Sequence, residues 1–246
     1  MRTRARWLVG AGVAIALGAG GAVAAGTGGG LPQGAEPVAL DPAQFTTRIT
    51  NPWLPLRPGT RWVYRETEPD GTRSRVVVTV TRRTVMTAAG IRARVVRDTV
   101  TEDGALLEDT RDLYAQDRAG TVWYMGERTA EYRDGRVVST EGSWEAGVDG
   151  AQAGVVMPGR PRPGQRYRQE YYAGHAEDRG SVVAVGEQAD APAGHFGHVV
   201  MTREVNALEP RALEFKFYAR GIGQVLAVDV SGGTGREELV RMVTVR

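Results

Sequence analysis

From Thr60 onward, apolar and polar residues alternate in short runs separated by turn-forming pairs, which is the pattern of half-buried antiparallel strands. In RWVYR, Trp62 and Tyr64 fall on one face and Arg61, Val63 and Arg65 on the other. Val76, Val78 and Val80 alternate with Arg75, Val77 and Thr79, and Ile91, Ala93 and Val95 share a face. The breaks are ProAspGly at 69–71, AlaAlaGly at 88–90, GluAspGly at 102–104, AspArgAlaGly at 117–120 and AspGly at 134–135. All are short, so successive strands should be neighbours. The same pattern returns in QRYRQEYY, SVVAVG, HVVMTREV, ALEFKFYAR, QVLAVDV and ELVRMVTV, with further turns at 221–223 and 232–235. Its cleanest case sets Leu213, Phe215, Phe217 and Ala219 against Glu214, Lys216 and Tyr218. About a dozen strands and no amphipathic helix of ordinary length predict an all-β antiparallel meander, curved into a half-barrel or barrel-like sheet because twist accumulates and free edges invite aggregation.

One stretch breaks the rhythm. Between Glu141 and Asp178, the part from Gly142 to Gly164 has no period and concentrates Gly, Pro and carboxylates around Trp144. It predicts a long central Gly/Pro-rich loop, and a loop of that length in a compact domain is either a functional lid or a disordered linker. Trp144, Val148, Val155, Val156 and Met157 favour the lid, since a solvated linker has no use for them. The expectation is that Trp144 inserts against the sheet near Tyr171 or Tyr172.

Ahead of the strands, residues 1–24 read as a signal peptide: Arg2, Arg4 and Arg6, an apolar run from Trp7, and Ala22-Val23-Ala24 as the small-residue cleavage pattern. The alternative is an uncleaved anchor, but the run is weakly hydrophobic and at the short limit for a spanning helix. Residues 25–40 read as a flexible linker, and residues 41–246 as a single β domain. Asp41 and Pro42 suit the start of one short helical turn. The three prolines of ITNPWLPLRPGT forbid regular pairing, which predicts an arm laid across a sheet opening, with Trp53 and Leu54 buried by docking.

Charge and composition then narrow the function. The net charge is +2, but removing Arg2, Arg4 and Arg6 from 31 basic residues leaves 28 against 29 acidic ones. A nearly neutral mature chain without a basic run is not a nucleic-acid binder. Lys216 is the only lysine, a bias toward Arg that reads as compositional because the arginines are scattered throughout. Cysteine is absent, which excludes disulfides, thiol catalysis, thiolate metal sites and a lipidated N-terminal Cys.

The segments ITNPWLPLRPGTRWVY, DLYAQDRAGTVWYMGE and GSWEAGVDGAQAGVVMPGRPRPGQRYRQEYYAGHAEDRG resemble a family of uncharacterised secreted bacterial proteins over most of the chain from residue 41. The resemblance implies export and carries no activity. EFKFYARGIGQV is similar to a late-strand pattern of periplasmic half-barrel proteins such as lipoprotein carriers, which implies fold more than function.

Candidate sites follow from chemistry. His195 and His198 in HFGH have helical metal-ligand spacing, but at the start of a strand residues three apart face oppositely, so a surface hairpin is expected and no metal or cofactor. His175 beside Glu177 and Asp178 has the makings of a general base, set against a solvated turn; neither Ser143 nor Ser181 has a nucleophile's setting. Glu145, Glu170, His175, Glu177 and Asp178 are the acid/base candidates if the protein is an enzyme, and two carboxylates facing across a cleft would suit glycoside chemistry. Glu141 and Asp149 join these acids around the central stretch, where a calcium site is a further possibility. Trp62, Tyr64, Trp123, Trp144, Tyr171 and Tyr172 are the ligand-binding candidates, with Tyr124 and Tyr167 among the same aromatics, against the simpler account that they are core.

The resulting expectation is an exported, monomeric, non-catalytic binding protein for a small or lipidic ligand or a cell-envelope partner, touching membrane only through its first segment if that is kept. A carboxylate-dependent hydrolase of envelope or extracellular glycans and a structural interaction module are the alternatives.

Overall fold

A computed structural model of the chain describes residues 30–231 and 235–244. The expected signal peptide, the first part of the linker and most of the 232–235 turn lie outside them. The described residues form one antiparallel sheet of sixteen strands and a single 3-10 turn, Pro42–Gln44. Asp41 starts that turn by accepting the Ala43 amide at 3.0 Å.

The strands are β1 (Phe45–Thr46), β2 (Thr60–Thr67), β3 (Arg73–Met86), β4 (Arg92–Glu102), β5 (Ala105–Asp117), β6 (Val122–Arg133), β7 (Arg136–Ser139) and β8 (Trp144–Glu145). They continue as β9 (Gln152–Met157), β10 (Arg166–Arg168), β11 (Glu170–Tyr171), β12 (Asp178–Ala191), β13 (Gly194–Asn206), β14 (Leu213–Ala219), β15 (Gly223–Ser231) and β16 (Arg236–Thr244). In space the order is β10-β12-β13-β14-β15-β16-β2-β3-β4-β5-β6-β9-β11. The meander is therefore real on both sides, and the last strand pairs with β2, with Leu239 opposite Tyr64. Two of the expected AspGly turns carry the left-handed pair that a two-residue hairpin needs: Asp103 and Gly104 at φ 49° and 85°, Asp134 and Gly135 at 53° and 72°.

The sheet curls into a barrel with one seam, and the chain itself crosses that seam. β10 and β11 sit at opposite ends of the strand order yet are joined by Gln169 alone. The crossing is tight: a Cβ on Gly154 would stand 2.2 Å from the Gln169 carbonyl oxygen, so only glycine fits there. Arg168 reaches across to donate from Nε to the Ala153 carbonyl at 3.1 Å. Residues 30–40, expected as a flexible linker, lie over this seam. The Arg168 amide donates to Pro32 O at 2.7 Å, and its Nη1 donates to Gly34 O at 2.5 Å and Glu36 O at 2.6 Å. Leu31, Val38 and Leu40 pack on the core.

The central stretch is not one long loop. β8 and β9 both pair with β6, with Glu145 opposite Gly126 and Met157 opposite Val122. One twelve-residue strand thus takes β7, β8 and β9 in turn along a single edge. Each piece is too short to show alternation, which is why the sequence reads as aperiodic. Trp144 is 5 % exposed and meets Tyr124 edge-on at 5.4 Å, so the aromatic it docks on is Tyr124 in the barrel wall.

The proline arm covers one barrel end. The Gln116 side-chain oxygen accepts the amides of Thr50 and Asn51, Asn51 donates to Gly120 O and Pro158 O, and Gly221 N donates to Pro52 O. Of the arm's own residues Ile49 and Leu56 are buried, while Trp53 and Leu54, expected to dock fully, are half-buried against the core.

Candidate functional site

Inside the barrel lies a cavity of about 300 Å³, at the lower limit of the range of small-molecule sites. It is graded along its axis. Leu54 and Leu56 of the arm, with Trp62, Val78, Val96 and Val156, line the covered end. Moving up β2, Trp62 gives way to Tyr64 and Glu66 and, just past its end, Glu68; moving back along β14, Tyr218 gives way to Lys216 and Glu214. The face of β14 that carries Glu214 and Lys216 is therefore the inner one, and Phe215 lies on the outer face. On β4 the inner set is Val96 and Asp98, while Ala93 and Val95 are buried on the opposite side, as is Ile91 just before the strand.

Among the described residues the lining holds ten carboxylates, against Lys216 and Arg236 as its cations. Both cations are engaged. Lys216 Nζ stands 2.6 Å from Glu204 and 3.1 Å from Glu214, and Arg236 pairs with Glu238 at 2.9 Å. Burial works against the Lys216 ammonium, but Glu204 and Glu214 outweigh it and hold its pKa well above the ordinary lysine value. Burial pushes Glu214 up to about 7, opposed by Lys216 and assisted by Glu204 and Asp229.

A second acid group stands near the seam. Glu170 and Asp178 both line the cavity, in adjoining stretches of wall where the Gln169 amide donates to the Asp178 carbonyl at 2.7 Å. Burial raises both, and the neighbouring Asp178 carboxylate raises Glu170 further. Glu170 is 4 % exposed, and its Oε2 has no hydrogen-bond partner. The Trp144 indole faces Glu170 and opposes its rise, yet Nε1 falls short of hydrogen-bond geometry. Next along the wall, Tyr124 donates to Asp112 at 2.7 Å and stacks on Tyr114 at 5.0 Å. Glu127, wholly buried, is pushed well above the carboxylate range by burial and then by Asp112.

Of the expected ligand-binding residues, Trp62 and Tyr64 line the cavity. Each also spans a gap. The β15–β16 ladder covers only Leu226–Val228, and beyond it Trp62 Nε1 donates to Ile222 O at 2.8 Å and the Tyr64 hydroxyl to Gln224 O at 3.1 Å. Trp123 is core, bonded to Asp117 at 2.9 Å and edge-on to Phe45. Trp144 lies behind Tyr124 in the wall. Tyr171 sits in β11, and Tyr172 stacks on His175 at 4.4 Å in the turn that follows; neither lines the cavity.

Of the acid/base candidates, the fold brings together Glu170 and Asp178 only. Glu145 accepts the Ala88 amide at 2.7 Å and pairs with Arg128 at 3.1 Å, and Glu177 accepts the Gly174 amide at 2.9 Å. His195 bonds Asp190 at 2.8 Å at the exposed tip of the β12–β13 hairpin, where the strand starts at Gly194. Among the described residues no group of three or more His, Cys, Asp or Glu is arranged to hold a metal ion, and no helix is long and apolar enough to cross a membrane. Sequence reasoning missed Glu66, Asp98, Asp112, Glu204, Glu214 and Asp229. The available signal was an acid repeated on one parity of several strands, but charges also stand on the other parity.

No protein-family model matches the sequence, and no curated protein matches it. Two solved structures match it over 78 % of this chain and 99 % of their own. One is a protein from Bacteroides fragilis NCTC 9343 described as exported and of YmcC-like fold, at 16 % identity and a TM-score of 0.42. The other is from Parabacteroides distasonis ATCC 8503 and is described as a lipoprotein, at 10 % identity and a TM-score of 0.43. Neither description mentions a lipoprotein carrier.

Proposed function

We propose that this is an extracytoplasmic, non-catalytic binding protein that holds a small ligand inside its barrel. The observation that carries the reading is the graded cavity, closed at its apolar end by the proline arm. Closed apolar walls with polar groups at one end fix both the affinity and the orientation of a small molecule. The signal-like residues 1–24 support export. The polar, carboxylate-bearing interior favours a compact polar ligand over a long acyl chain.

The arrangement of acids argues against the hydrolase. Glycoside hydrolysis needs carboxyls about 5 to 9 Å apart with the scissile bond between them. Glu170 in β11 and Asp178 at the start of β12 belong to adjoining stretches of wall, where the Gln169 amide donates to the Asp178 carbonyl at 2.7 Å, so they do not flank a substrate bond from opposite sides.

The test is uptake of N-phenyl-1-naphthylamine, whose fluorescence rises in apolar surroundings, by the wild type and by Leu54→Trp. The added ring fills the covered end. Uptake should be saturable in the wild type and at least tenfold weaker in the variant. Equal uptake by both would place the dye on the surface and remove the reading.

A further inference from the structure

Resting on the cavity reading above, we infer that the ligand carries a protonated amine, received by the Glu170–Asp178 pair and the tyrosines that line the same cavity.

Three observations converge. The lining is acidic, and its cations are already committed to carboxylates, so an incoming anion finds no free partner. Glu170 Oε2 is buried in the cavity wall without a donor, and a buried carboxyl oxygen left so destabilises the wall until something donates to it. An ammonium has three donors, enough for Glu170, Asp178 and one further oxygen. Tyr114, Tyr124 and Tyr218 line the same space, and an aromatic ring within about 6 Å attracts a cation.

The chemistry also sets the ligand's form. The ammonium belongs at the carboxyl-bearing side and an apolar or aromatic body at the Leu54–Trp62 end, which describes a small arylalkyl or alkyl amine. A carboxylate on the same ligand would meet Glu204 and Glu214 and be rejected.

Calorimetric titration with phenethylamine, its neutral analogue 2-phenylethanol and the anion phenylacetate separates the cases without any variant. The amine should bind at least tenfold more tightly than the alcohol, and phenylacetate not at all. The double variant Glu170→Gln/Asp178→Asn, with Asp178→Asn alone as the second variant should the first not fold, removes the charge of the pair and should bring the amine down to the affinity of the alcohol. Equal affinity of amine and alcohol in the wild type overturns the ammonium assignment while leaving the cavity reading intact. Absence of binding by all three overturns both.

Discussion

Glu214 shows how one buried side chain ties the interior to pH. Its ordinary value is 4.5, and burial beside Glu204 and Asp229 lifts it to about 7 despite the Lys216 ammonium at 3.1 Å. Between those two values the folded chain binds a proton that the unfolded chain has released. The contribution of this group to stability therefore falls as pH rises from 4.5 toward 7, by an amount on the order of 2 to 3 kcal/mol. Glu214→Gln cannot ionise, and Glu204 still holds Lys216 at 2.6 Å. Urea unfolding at pH 5 and pH 8 should show the wild type losing more stability across that interval than the variant. Parallel losses would mean that Glu214 titrates as a solvated acid. Lys216 itself stood out in the sequence as the sole lysine, but only the barrel shows that it is flanked by two acids.

Among the elements, the stretch over the seam does most to explain how the barrel stays shut. Arg168 is nearly fully buried, and burial pulls its guanidinium pKa below the ordinary value, with Glu36 opposing. Its Nε donates to the Ala153 carbonyl and its Nη1 to those of Gly34 and Glu36, while its backbone amide donates to Pro32 O, which joins residues 30–40, β10 and β9. Arg168→Met should cost about 2 to 4 kcal/mol through the carbonyls left without donors. Removing residues up to Glu36 takes away two of the three carbonyls that the side chain holds, so the two changes should be non-additive in a thermal-unfolding cycle. Additive losses would show that the segment and the seam are independent. Composition marked these residues as spacer because Gly and Pro dominate, and no local pattern announces a docking site for backbone carbonyls.

For the whole molecule, the expected history is export followed by barrel closure. Intact mass of the secreted product should begin at Ala25, six residues before Leu31 reaches the core. Recovery of a chain retaining Arg2, Arg4 and Arg6 in a membrane fraction would instead make the first segment an anchor.

The sequence alone determined the strand character, the neighbour-to-neighbour order and the proline arm. Alternation and AspGly turns are local properties, and Trp62, Tyr64 and the 103–104 and 134–135 turns behave as their spacing requires. Tertiary structure decided which face became the inside. An alternating strand offers two faces, and on β14 the one bearing Glu214 and Lys216 turned inward because the closed sheet gives those charges one another as partners. It also decided that Trp144 joins the wall and that Glu170 meets Asp178, since the chain crosses the seam at Gln169 and strands from distant parts of the sequence meet there. Such meetings depend on closure of the whole sheet, a long-range condition that no window of residues encodes.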